Sequence, residues 1–100
     1  MTDCIEIRID ADIFDLATAF IDNRREDTER IRNAIAAEEW TSLHRIGHGL
    51  KGTAGSYGFQ ELSAIGQVLE TAAATKDTAA ATHSLERMLE YLQHVRMLPR

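Results

Sequence analysis

His48 and Lys51 stand three residues apart in a stretch with little other bulk, His48-Gly49-Leu50-Lys51-Gly52-Thr53-Ala54-Gly55-Ser56-Tyr57-Gly58. A neutral imidazole keeps a free lone pair on one ring nitrogen, so His48 is a candidate nucleophile. Lys51 can neutralise a phosphoryl group carried on that nitrogen. Phosphoryl transfer asks a protein for positioning and charge neutralisation more than for covalent work. At about 100° per residue, His44, His48, Lys51, Gly52 and Gly55 share one helical face. Leu43, Ile46, Gly47, Leu50, Ala54 and Tyr57 share another. Such a face fits a phosphate carrier. It does not fit a kinase, because no phosphate-binding loop follows a strand and no acidic cluster is placed to hold magnesium.

The glycines need a physical cause. All six lie between Gly47 and Gly66, and five of them between Gly47 and Gly58. Each glycine inside a helix costs roughly 0.8–1 kcal/mol relative to alanine, so four internal ones cost about 3–4 kcal/mol. Gly58 can end the helix as a left-handed residue. For Gly52 and Gly55, beyond His48 on the same face, the expected cause is clearance for a large partner approaching the imidazole. A second reading of the histidines is metal binding, since His44 and His48 at i and i+4 can face one ion as in zinc helices. Against it stand the missing general-base glutamate and the nearby Lys51, which repels a cation.

The remaining residues must build a scaffold for this face. One hundred residues with 44% hydrophobic content make a single domain, 1–100, with one modest core. No apolar run approaches the roughly 18 residues of a membrane span. Met1 to Glu6 lacks the basic and apolar regions of a signal peptide. Cys4 is the single cysteine, which allows no intrachain disulfide and fits a reducing compartment. A cytoplasmic monomer is the expectation. The net charge of -5 argues against a nucleic-acid partner.

Ile5, Ile7 and Ile9 alternate with Glu6, Arg8 and Asp10, the period of an extended segment. Five residues cannot form a sheet alone and no second strand follows, so the expectation is an extended arm laid on the domain. Asp10 or Asp12 can cap the first helix. Ile13, Ala17, Phe20, Ile31 and Ile35 carry it to about Ala37, and Arg24 and Thr28 predict a partly exposed middle. The charge run from Asp22 to Arg32 reads as a solvated face. A short turn near Glu38-Glu39 leads to Trp40, which opens the glycine-rich helix as a core or rim residue. Leu62, Ile65, Leu69 and Ala73 define a third helix from about Gln60 to Ala74. Lys76-Asp77 forms the next turn, with Asp77 or Thr78 as cap. Ala81, Leu85, Met88, Leu92 and Val95 define the last helix, ended by Pro99. Four helices with short connections predict an all-α, antiparallel up-and-down bundle with a short extended N-terminal arm.

The segment Gly47-His48-Gly49-Leu50-Lys51-Gly52, completed by Gly58, resembles the signature of histidine-containing phosphotransfer (HPt) domains. Helix order, the place of Trp40 and overall length are also similar, so the resemblance covers nearly the whole chain. It implies a four-helix bundle that relays phosphoryl groups between receiver-domain aspartates. His48 is then the phosphorylated residue, Lys51 its electrostatic partner and Gly52 the clearance for the receiver. The implied partners are a hybrid histidine kinase and a response-regulator receiver domain. Magnesium comes with the receiver, and no cofactor is bound here. Glu38-Glu39 departs from a common Gly-Asp, and Gly49 from a commoner Ser, Thr or Lys. A non-catalytic adaptor that docks a receiver is the alternative, against which the presence of both His48 and Lys51 counts.

One further residue completes the expected site. Measured from Leu62, Glu70 falls about 80° round the third helix, at the edge of its core face. The resemblance lends this place to a Gln or Glu, and Gln67 lies farther round. The expectation is that Glu70 accepts a hydrogen bond from Nδ1 of His48 and leaves Nε2 for phosphate. His44, one turn before His48, is expected either to assist or to be plain surface.

Overall fold

The computed structural model describes residues 4–100. The reading of Met1 to Glu6 as no signal peptide therefore rests in part on residues 1–3, outside the described residues. Strand β1 spans Ile5–Ile9, after which Asp10 starts a single 3-10 turn, Ala11–Ile13. The Asp10 carboxylate accepts the Asp12 N–H at 2.9 Å. Helix α1 follows directly over Phe14–Ala36 and buries Ala17, Phe20, Ile21, Ile31 and Ile35.

The middle of α1 is partly exposed as the sequence predicts, with Asn23, Arg25 and Glu26 open to solvent, but Thr28 departs from that expectation. Thr28 is buried, with its hydroxyl donating to the Arg25 carbonyl at 2.8 Å. A hydroxyl satisfied by its own helix backbone can leave water without losing a hydrogen bond. Arg24 lays its guanidinium over the Phe20 ring, 4.8 Å from the centroid, and its Nε lies 3.0 Å from Asp27.

The expected turn lies at Ala37 to Glu39, where Glu38 takes a left-handed φ of 55°. Helix α2 then runs over Trp40–Tyr57 and ends on Gly58 at φ 91°. A side chain at that φ would be strained, and glycine is not. The Phe59 N–H bonds to the Ala54 carbonyl at 2.9 Å, which closes the helix end. Phe59 is fully buried, with its ring centroid 5.9 Å from that of Phe20. Helix α3 spans Gln60–Ala74 and α4 spans Thr78–His94, with Asp77 capping α4 through the Ala80 N–H at 3.0 Å. Leu43, Leu50, Leu62, Ile65, Leu69 and Met88 fill the space between the helices.

The chain is mainly helical, consistent with the expected all-α bundle, and adds one short two-stranded sheet. Val95 leaves the helix with extended angles, φ -69° and ψ 136°, and Val95–Pro99 forms strand β2. It pairs in parallel with β1, Ile5 opposite Val95 and Ile9 opposite Pro99. The N-terminal segment is thus one strand of a two-stranded sheet and not a lone arm. A parallel pair needs a long crossover, and here the four helices between the strands supply it. Val95 fits the apolar face of α4 and the apolar face of a strand equally well, which is why the sequence hid the change. Among the described residues no helix is long and apolar enough to cross a membrane.

Candidate functional site

Two glycines bring α2 and α3 together. A Cβ on Gly47 would lie 2.6 Å from the Glu70 nitrogen and 2.8 Å from the Gly66 carbonyl oxygen. A Cβ on Gly66 would lie 2.7 Å from the Lys51 nitrogen. Both contacts are with backbone, which cannot swing aside as a side chain does. Farther along, Gly55 faces Ser63, so the register of the two helices runs in opposite directions. Ser63 fastens it, its hydroxyl donating to the Lys51 carbonyl at 2.7 Å.

This close crossing sets Glu70 beside the α2 face that carries His48. Glu70 Oε2 is 2.7 Å from His48 Nδ1, and Oε1 accepts from Lys51 Nζ at 2.9 Å. His48 itself is open to solvent, its side chain 69% exposed, while the Glu70 side chain is only 16% exposed. The Lys51 hydrogen bond, then that of His48, hold the Glu70 carboxyl below its ordinary value of 4.5, against the opposing effect of its partial burial. A carboxylate can only accept, so in the neutral ring this hydrogen bond selects the tautomer with the proton on Nδ1 and the lone pair on Nε2. The arrangement is an exposed imidazole with its ring orientation fixed from behind.

The other expected residues lie as follows. Gly52 is exposed, and a Cβ there would meet nothing within 4 Å. Gly55 is half-buried, and a Cβ there would touch Ser63 Oγ at 3.4 Å, so this glycine faces α3 as well as the open side. His44 approaches the same carboxylate more loosely, Nε2 to Oε2 at 3.8 Å. Gln67 is exposed among Ala64, Val68 and Thr71, on the α3 face turned to α4. Among the described residues no group of three or more His, Cys, Asp or Glu side chains is disposed to hold a metal ion.

Sequence reasoning gave Gly52 and Gly55 to a partner and missed Gly47 and Gly66 as a helix crossing. The available signal was their place on the apolar line of each helix, where a side chain is otherwise expected. Ser63 carried no signal, because a serine one residue from a core leucine looks like any boundary position.

A sequence profile of the Hpt domain matches residues 15–97, most of the chain. The chain belongs to the Hpt domain family, the histidine phosphotransfer domains of two-component signalling. Comparison with curated proteins and with solved structures gave no match.

Proposed function

We propose that this protein relays a phosphoryl group between receiver-domain aspartates through His48. The observation that carries the reading is the pair of hydrogen bonds converging on Glu70 from His48 and Lys51. In the inward step, His48 Nε2 attacks the phosphorus of an aspartyl phosphate. The N–P bond forms as the bond to the aspartate oxygen breaks, and the aspartate leaves as a carboxylate. The Nδ1 proton stays on the ring, donated to Glu70, and spreads the positive charge of the phosphorylated imidazole towards a carboxylate. Lys51, 2.9 Å from that carboxylate, is within a side-chain rotation of the phosphoryl oxygens. The outward step reverses these bond changes on a second receiver. Magnesium belongs to the receiver, whose own phosphorylation chemistry it serves.

The same reading names a hybrid histidine kinase and a response-regulator receiver as the two partners, in the cytoplasm. Gly52 is the clearance that lets either receiver reach the imidazole, and Gly55 and His44 border it. The antiparallel up-and-down course of all four helices belongs to this proposal. It is supported by the α2–α3 register and by the 5.2 Å approach of the Phe20 and Tyr57 rings, which sets the start of α1 by the end of α2.

Incubation with a phosphorylated receiver tests the proposal. The expected product is an acid-labile phosphohistidine, lost in His48→Gln while helicity is unchanged. Labelling of His44, His83 or His94 in that variant would sink the assignment. A stable complex without label would favour the adaptor reading instead.

A further inference from the structure

We infer that the outer edge of β1 is a self-association surface, on which β1 of a second copy of this chain pairs antiparallel about Ile7. The argument starts from backbone parity. The Arg100 N–H donates to the Ile9 carbonyl at 2.8 Å, so Ile9, and by alternation Ile7 and Ile5, turn their backbone groups to β2. Glu6 and Arg8 therefore turn theirs the other way, to an edge that no third strand covers among the described residues. Among the described residues, only the Arg100 guanidinium reaches that edge, at 3.3 Å from the Arg8 carbonyl. Unpaired strand edges are templates for further strands unless something blunts them.

The two edges of the sheet differ in this respect. On β2 the outward-turned set includes Pro99, which has no N–H to offer. On β1 no proline stands among the outward-turned residues, and pairing there requires the Arg100 guanidinium to leave the Arg8 carbonyl. The β1 sequence, Ile5-Glu6-Ile7-Arg8-Ile9, is also complementary to itself when reversed. Antiparallel pairing centred on Ile7 sets Glu6 against Arg8 of the partner subunit, and Arg8 against Glu6 of the partner subunit. These two pairs are the hydrogen-bonded ones, since their N–H and C=O groups are those turned outward. Glu6 and Arg8 are both exposed, whereas Ile5 and Ile7 are half-buried and Ile9 is buried. Each copy thus offers opposite charges on its solvent side and isoleucines on its inner side. Directly opposed residues of opposite charge stabilise an antiparallel pair and like charges destabilise it.

The result is a twofold dimer with a four-stranded sheet, ordered β2-β1-β1-β2. A five-residue edge is small beside a standard interface, so association is weak and depends on concentration. The dimer leaves the relay face free. Thr18 near the start of α1 touches Met97 of β2, which puts the sheet at the end of the bundle where α4 finishes. His48 lies ten residues before Gly58, about 15 Å along α2 from its end. The monomer expected from sequence is the outcome that would overturn this proposal.

Sedimentation equilibrium from low micromolar to millimolar concentration tests the proposal. The parent is expected to rise from the chain mass of 11.2 kDa towards twice that value. Arg8→Glu opposes Glu6 to a glutamate twice over, and Glu6→Arg opposes Arg8 to an arginine. Each variant alone is expected to associate at least about tenfold more weakly than the parent. An equimolar mixture restores both charge pairs and is expected to form a heterodimer. A parent that stays at single mass, variants that associate like the parent, or a mixture that does not recover would each overturn it. Glu6 also faces Arg96 within the chain, so circular dichroism checks that Glu6→Arg folds. Where it does not, amide exchange in the parent decides. The Glu6 and Arg8 N–H groups are expected to gain protection with concentration, and unchanged protection overturns the proposal.

Discussion

Gly47 lies against Glu70 so closely that a single added carbon on it would stand 2.6 Å from the Glu70 nitrogen. The residue before His48 is thereby packed on the backbone of the residue that holds His48. The distance between the two helices and the 2.7 Å hydrogen bond of the site are one geometric fact.

Gly66→Ala is expected to loosen this site from within. Its Cβ would press on the Lys51 nitrogen at 2.7 Å, so the helices must part by several tenths of an ångström. Overpacking of this kind costs about 1–3 kcal/mol. Urea unfolding should show that loss, and transfer from a phosphorylated receiver should slow as Glu70 withdraws. A variant as stable and as fast as the parent would show that the crossing tolerates separation.

Gly52→Gln is expected to act in the opposite sense on stability. The position is exposed and meets nothing within the fold, so a side chain there gains helix propensity of about 0.5–1 kcal/mol. The same side chain should obstruct a receiver, leaving a more stable protein that transfers far more slowly. Unchanged transfer would mean the glycine is not there for approach.

Glu70 gives the site an acid dependence whose sign follows from its lowered carboxyl. Lys51 and then His48 favour the ionised form in the fold, so the native state binds this proton less readily than the unfolded chain does. The resulting stability is present above the ordinary carboxylate value of 4.5 and is lost as pH falls through the lowered one. Urea midpoints measured from pH 7 down to pH 3 should fall more steeply in the parent than in Glu70→Gln. Parallel slopes would remove Glu70 from the account.

Tyr91 gives an alkaline dependence. Its ring is buried, its hydroxyl finds no hydrogen-bond partner among the described residues, and burial pushes its pKa from 10.0 up to about 12. The unfolded chain therefore loses this proton first as pH rises, and stability declines from about pH 10 towards pH 12. Tyr91→Phe should abolish that part of the decline. It should also raise stability at pH 7 by roughly 1 kcal/mol, since an unpaired buried hydroxyl is removed. Loss of stability at pH 7 would instead reveal a partner for the hydroxyl.

Helices α2 and α3 were legible because their signals were local. Gly58 marks one end and the apolar spacing of Leu62, Ile65 and Leu69 marks the next element, bounds that the structure keeps at Tyr57 and Gln60. Glu70 was legible as a boundary residue because a helix edge is an angle, and angles follow from counting. Strand β2 was not legible, since only its pairing with β1 distinguishes Val95 from another turn of helix. Nor was the Gly47–Gly66 crossing, because a missing side chain gives no sign of which backbone fills its place. The burial of Thr28 was hidden for a related reason: its hydroxyl is satisfied within its own helix, and sequence counts it as polar.

The pairing of Ile5 with Val95 has a consequence for the order in which the chain assembles. Closing a loop between them costs conformational entropy that grows with the length spanned, and few backbone bonds repay it. The helices form from contacts near in sequence and can precede the strands, which meet only once α1 and α4 have aligned. The sheet is therefore expected on the late, native side of the folding barrier. Weakening it should hasten unfolding while the rate of folding stays nearly the same. The strands act as a latch on a bundle already built, and the lifetime of the folded molecule depends on that latch more than its birth does.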